Sequence, residues 1–145
     1  MARALIIEAR FYDDIGDLLL SGATKELESR GFGHEVITVP GVLEIPVALT
    51  MAIQASRRRD LGFDLFVVLG CVIRGETGHY DIVANEGNRA VMDLAVSGRL
   101  ALGNGILTVE NREQAMVRAD PAQKNKGADA AAAAIALFDL RNALG

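Results

Sequence analysis

The chain reads as an α/β domain of three layers, α/β/α, with a four-stranded parallel sheet and helices on both faces. Three observations predict it. Short β-rich runs alternate with stretches of helical periodicity. Strands separated by helices must run parallel, and right-handed crossovers place the helices on both sides of one sheet. The run Leu65-Phe66-Val67-Val68-Leu69 is continuously apolar, as a strand covered on both faces must be.

Each element has its own signal. Leu5-Ile6-Ile7 is a buried strand. Ile15, Leu18, Leu19, Ala23 and Leu27 then recur at helical spacing, and Gly31 ends that helix where only glycine sits cheaply at positive φ. Val36-Ile37-Thr38-Val39 is the second strand, stopped by Pro40-Gly41. Ile45, Leu49, Ala52 and Ile53 mark the second helix, with Pro46 tolerated in its first turn. After the third strand, Val83, Ala90, Val91 and Leu94 face inward on a third helix. Ile106-Leu107-Thr108-Val109 is the fourth strand, with Gly103-Asn104-Gly105 before it. Glu110 to Arg118 forms a short helix that Pro121 breaks. Ala131, Ile135 and Phe138 face inward on the last helix, whose run Ala130 to Ala134 reads as close packing, alanine being the best helix former.

The 145 residues fit a single domain, 1–145, able to bury a real core. Half are apolar, which excludes a disordered chain. No apolar run approaches the ~18 residues of a membrane span, and the stretch after Met1-Ala2-Arg3 is too short for a signal peptide. A net charge of −4 argues against nucleic acid as a partner. One cysteine makes no internal disulfide, so a cytoplasmic location is expected.

Open parallel sheets bind ligands beyond the carboxyl ends of their strands. Those ends carry Arg10-Phe11-Tyr12-Asp13, Pro40 to Pro46, Gly70 to His79, and Glu110-Asn111. Apolar surface mixed there with ionisable groups is the makeup of a small-molecule site. Gly75, Thr77 and Gly78 stand between a strand and a helix. Their N–H groups and the helix dipole can hold an anion; a plain structural turn is the alternative. Neither a P-loop nor a dinucleotide fingerprint is present. His79 can move protons, imidazoles titrating near pH ~6.5, or simply cap the turn. Cys71 reads as a core thiol and not a nucleophile, His34 as surface, and Arg57-Arg58-Arg59 with Asp60 as a solvated helix end. The histidines and the cysteine give no metal signature. Arg118, Lys124 and Lys126 are surface charge unless another copy of the chain brings them to the anion site.

Four separated blocks, in order, resemble lumazine synthase: Val39 to Pro46, Leu69 to Asp81, Gly105 to Asn111, and Gln114-Ala115. The resemblance runs from near Leu5 to near Asn142. It implies a flavodoxin-like fold with a four-stranded parallel sheet. It implies the penultimate step of riboflavin biosynthesis: 5-amino-6-ribitylaminouracil condenses with 3,4-dihydroxy-2-butanone 4-phosphate to 6,7-dimethyl-8-ribityllumazine, with release of inorganic phosphate and water. No metal or organic cofactor is implied. The implied partners are further copies of the chain, as pentamers, pentamer pairs or sixty-subunit capsids, with the active site between neighbours.

Residue by residue, the resemblance implies that Phe11 stacks on the pyrimidine. Leu43, Glu44 and Ile45 line the ribityl chain. Cys71, Val72 and Ile73 border the pyrimidine. Gly75, Glu76 and Thr77 hold the phosphate, and His79 moves protons. Arg118 and Lys126 of the adjacent subunit meet the phosphate and the reacting ends. Three positions depart from the family pattern. Tyr12 stands where asparagine is common, and Leu43 and Asn104 stand where many relatives carry phenylalanine. The departures keep open a second reading, a binder of flavin or lumazine without strong catalysis. A third, a flavodoxin-like electron carrier or response domain, rests on fold class alone.

Overall fold

The computed structural model describes residues 2–59 and 62–145, with the side chains of Arg58 and Arg59 left out. The elements run β1 (Arg3–Ala9), α1 (Asp13–Ser29), β2 (Gly33–Val39), α2 (Glu44–Arg59), β3 (Leu65–Ile73), α3 (His79–Gly98), β4 (Leu102–Val109), α4 (Arg112–Ala119) and α5 (Lys126–Leu144). All strand pairs are parallel and their order is β2-β1-β3-β4. This is the three-layer arrangement predicted from the alternation of strands and helices, and it is consistent with the flavodoxin-like fold that the resemblance implies. The chain reverses its direction of travel across the sheet between β1 and β3. In such sheets that reversal opens a crevice above the strand ends, because the flanking connections leave toward opposite faces.

Period-two alternation within the strands sorts side chains into two cores. Ala4, Ile6, Val67 and Leu69 face one side, where Ile15, Leu19, Ala23 and Leu27 of α1, Ala115 and Ala119 of α4, and Ala131, Ala134 and Ile135 of α5 meet them. Leu5, Ile7, Phe66 and Val68 face the other, under Ile45 and Leu49 of α2 and Val91 of α3. The edge strand β2 is covered less, and Val36 and Ile37 keep about two-fifths of their surface exposed. Gly31 takes φ 83 beyond the end of α1, as predicted. Among the described residues no helix is long and apolar enough to cross a membrane.

Three boundaries differ from the sequence reading, each for a tertiary reason. Gly70 to Ile73, read as a loop after the third strand, belong to β3, because the ladder to β4 continues through Gly70↔Ile106 to Ile73↔Val109. Gly103-Asn104-Gly105, read as preceding the fourth strand, lie within it. There the glycines serve close approach, since a Cβ on Gly103 would overlap the carbonyl oxygen of Ala130 in α5. The short helix begins at Arg112 and not at Glu110. Asn111 caps it, its side chain accepting from Gln114 N at 2.9 Å. On α3 the buried stripe is Ala84, Gly87 and Val91, with Val83, Ala90 and Leu94 only partly covered. Arg57 is exposed on α2; the rest of the basic run, with Asp60, lies outside the described side chains.

Candidate active site

Above the β1/β3 reversal lies a groove of about 410 Å³. Three connections and the elements they join build it. Phe11 and Tyr12 come from the β1–α1 link, and Pro40, Gly41, Val42, Leu43 and Glu44 from the β2–α2 link. Cys71, Val72 and Ile73 end β3, Gly75 and Thr77 belong to the following turn, and His79, Tyr80 and Val83 open α3. Most residues named from sequence are thus brought together. Ile45 is not among them: fully buried, it packs in the core beneath the groove. Glu76 is exposed on the turn without lining the groove.

The floor is Val42. A Cβ on Gly70 of β3 would stand 2.9 Å from its Cγ2, and one on Gly87 of α3 would stand 2.7 Å from its Cγ1. Two glycines therefore let one valine wedge between strand and helix. Phe11 stays 73% exposed and touches Tyr12 edge-on at 5.0 Å between centroids. Such a ring is a ready stacking surface. Its backbone is held by Arg10, whose N–H donates to Val39 O at 2.9 Å. The Arg10 side chain donates to buried Glu8 at 3.0 Å, to Asp13 O at 3.0 Å and to Asp17 at 2.5 Å. Glu8 also accepts from Thr38 Oγ1 at 2.7 Å, so its buried charge is fully engaged.

The turn into α3 is also pinned. Arg74 N donates to Val109 O, and its guanidinium reaches Glu110 at 2.8 Å and Asp81 at 3.5 Å while lying 4.2 Å over the Tyr80 ring. Thr77 Oγ1 accepts the N–H of His79 at 3.3 Å. The N–H groups of residues 75–78 carry no hydrogen bond among the described residues, which leaves them for an anion at the helix N-terminus. Burial pushes the Cys71 thiol up to about 12, so it stays a neutral core thiol, as read from sequence. Burial raises Tyr12 as well, with Cys71 adding to the shift and Arg112 opposing it.

The cations lie elsewhere on the chain. Arg118 and Lys126 line a separate groove of about 360 Å³ along the free edge of β4, with Asn104, Thr108 and Asp129. The two grooves share no residue. Arg118 donates to Gln114 O at 3.1 Å, and Lys126 pairs with Asp129 at 3.4 Å. Asn104 donates to Asn88 at 2.9 Å and accepts its own strand's Ile106 N–H at 2.8 Å. Lys124 is exposed and lines neither groove.

Sequence reasoning passed over Arg10, Val42, Arg74, Tyr80 and Asp129. Arg74 was the one within reach: it follows Ile73, which pairs with Val109, so Glu110 had to stand beside it. The others needed contacts between distant segments.

A profile of the family described as 6,7-dimethyl-8-ribityllumazine synthase matches residues 1–142. The chain is 58% identical over 145 residues to a 6,7-dimethyl-8-ribityllumazine synthase of Zymomonas mobilis, with 99% of each chain covered. It is 56% identical to that of Agrobacterium fabrum, covering 97% of this chain and 95% of the relative. It is 55% identical to 6,7-dimethyl-8-ribityllumazine synthase 1 of Rhizobium meliloti, covering 97% and 92%. With the sheet order, the groove at its reversal and near end-to-end similarity in agreement, the chain belongs to the 6,7-dimethyl-8-ribityllumazine synthase family, transferases of riboflavin biosynthesis.

Proposed function

We propose that the two grooves are the halves of one active site, joined when the first groove of one subunit meets the β4-edge groove of its neighbour. The observation that carries this reading is the separation of Arg118 and Lys126 from His79 within a single chain. The chemistry needs a phosphate leaving group and a proton carrier in one place. A second copy supplies that juxtaposition. Exposed Val47, Met51, Ile82, Met92 and Val96 on α2 and α3 are apolar surface for the same association. A homopentamer is the assembly we expect, with a decamer or a sixty-subunit shell as larger forms. The enzyme works in the cytoplasm on soluble substrates.

The reaction joins 5-amino-6-(D-ribitylamino)uracil to 3,4-dihydroxy-2-butanone 4-phosphate. In our reading Phe11 stacks on the pyrimidine, with Tyr12, Cys71, Val72 and Ile73 along its edge. Leu43 and Glu44 follow the ribityl chain, and Glu44 accepts from its hydroxyls. Its carboxylate lies over Gly41, at 3.1 Å from where a Cβ would stand. Ile45 supports Leu43 and Glu44 from below. The N–H groups of Gly75, Glu76 and Thr77 receive the phosphate. The partner copy adds Arg118 and Lys126, with Asn104 beside them.

The 5-amino group attacks the ketone and forms an imine with loss of water. A proton is then lost from the neighbouring carbon and phosphate leaves, its charge met by the turn and by Arg118; the resulting enol becomes a ketone, and the ribitylamino nitrogen adds to it and closes the ring with loss of a second water. His79 gives and takes the protons. Amine and ketone react readily, so positioning is the largest contribution, up to ~7–11 kcal/mol in well-oriented systems. Arg118→Ala is expected to raise KM for the butanone phosphate by roughly tenfold or more while leaving pyrimidine binding nearly intact. Steady-state lumazine fluorescence reads this out; equal losses for both substrates would make Arg118 structural.

A further inference from the structure

Between Arg118 and Lys126 the chain makes a single compact turn. Asp120 organises its first half. The carboxylate accepts from Ala122 N at 2.9 Å and Gln123 Nε2 at 3.2 Å, and the carbonyl from Gln123 N at 2.9 Å and Asn125 N at 3.1 Å. Asn125 follows at φ 49 and ψ 53, in the left-handed region. Its Oδ1 is buried against Gly22 of α1. Among the described residues it is the one buried side-chain oxygen or nitrogen without a hydrogen-bond partner. Two unfavourable features thus fall on one residue, immediately before Lys126.

Neither feature is needed to start a helix. Glycine fills a left-handed position at lower cost, as Gly31 does after α1. An ordinary asparagine cap would turn its side-chain oxygen onto an N–H of the first helical turn, and Asn125 makes no such bond. Strained backbone and orphaned polar atoms persist where the surroundings over-determine them, and they gather at functional positions. The surroundings here are a seam between helix backbones. A Cβ on Gly22 would overlap Asn125 Oδ1 and lie 3.2 Å from Ala128 N. A Cβ on Gly127 would lie 3.0 Å from the carbonyl carbon of Leu19 and 3.2 Å from Ala23 N. The Asn125 carboxamide is wedged in that seam, immediately before Lys126.

We infer that Asn125 is a positioning residue: wedged against Gly22, it aims Lys126 into the β4-edge groove beside Arg118, at the expense of stability. The inference rests on the reading of that groove as the cationic half of the site. Asn125 acts through Lys126 and does not itself touch substrate. Asn125→Gly removes both the wedge and the strain. It is expected to melt at or above the parent temperature and to raise KM for butanone phosphate by roughly fivefold or more, with KM for the ribitylaminouracil unchanged. Asn125→Ala keeps the strain without the wedge, so it should share the raised KM but melt below Asn125→Gly. A lower melting temperature for the glycine variant, or an unchanged butanone-phosphate KM, overturns the inference and leaves an ordinary cap. So does an alanine variant that melts no lower than the glycine one. Arg118→Ala in the same assay separates the two layers. If it raises that KM and Asn125→Gly does not, only the positioning role falls; if neither does, the cationic groove falls as well.

Discussion

His79 stands on the first turn of α3 with its backbone N–H engaged by Thr77 and its ring exposed. No ion pair or hydrogen bond ties the ring to a neighbour among the described residues, so it is free to follow a substrate proton. His79→Ala is expected to lower kcat by on the order of 10²-fold, within the usual range for general acid–base groups, while KM for both substrates moves less than about twofold. An unchanged kcat would remove the proton-transfer role. Cys71, which shares the groove, offers no rival chemistry, since burial holds it as a thiol far above neutral pH. At this scale the sequence was informative about which residues line the groove. Phe11, Glu44 and His79 all line the groove, as their positions after strands implied. It set Arg10 and Val42 at strand ends without revealing what they do there. Their roles depend on Glu8, Asp17, Gly70 and Gly87, residues brought close only by folding.

Elements meet here through glycine and alanine. β4 lies so close to α5 that Gly103 has no room for a side chain, and α5 lies on α1 through Gly22 and Gly127. The alanine-rich run of α5, read from sequence as close packing, buries Ala130, Ala131 and Ala134 in that contact. Gly103→Ala is expected to cost about 3 kcal/mol or more, the upper end for an overpacked core, because the obstacle is backbone and cannot rotate away. For a chain of this size that is a fall of about 10 °C in Tm. Gly75→Ala has open space around it and should stay within about 0.5 kcal/mol. Thermal unfolding of both variants checks the contrast, and equal effects would refute the close-packing account. The same contact explains the misplaced start of β4. A Gly-Asn-Gly run carries a turn signal, and only the approach of α5 reveals why the glycines are needed in a strand.

At the scale of the molecule, one chain carries two grooves that share no residue, the two halves of the site in the proposed reading. The groove at the β1/β3 reversal holds the aromatic, the histidine and the open turn; the free edge of β4 holds the cations. The proposed homopentamer would complete the site by association of copies, and it predicts a mass in solution of five times the 15.4 kDa of the chain, or a multiple of that pentamer. Light scattering would measure it, and a fully active species of 15.4 kDa would sink the shared-site account.

What the sequence determined by itself was whatever local pattern controls. Periodicity and alternation specified parallel strands with helices on both faces, because an apolar stripe of one period can be buried in only one way. Gly31 marked the end of α1, because left-handed backbone excludes most side chains. The blocks around Glu44 and His79 set polar residues at strand ends, where the groove lies. Tertiary structure alone decided the rest. It extended β3 to Ile73 through pairing with β4, and set Arg118 and Lys126 on a different groove from His79. Those outcomes depend on distances between segments far apart in the chain, and no local preference of a residue encodes them.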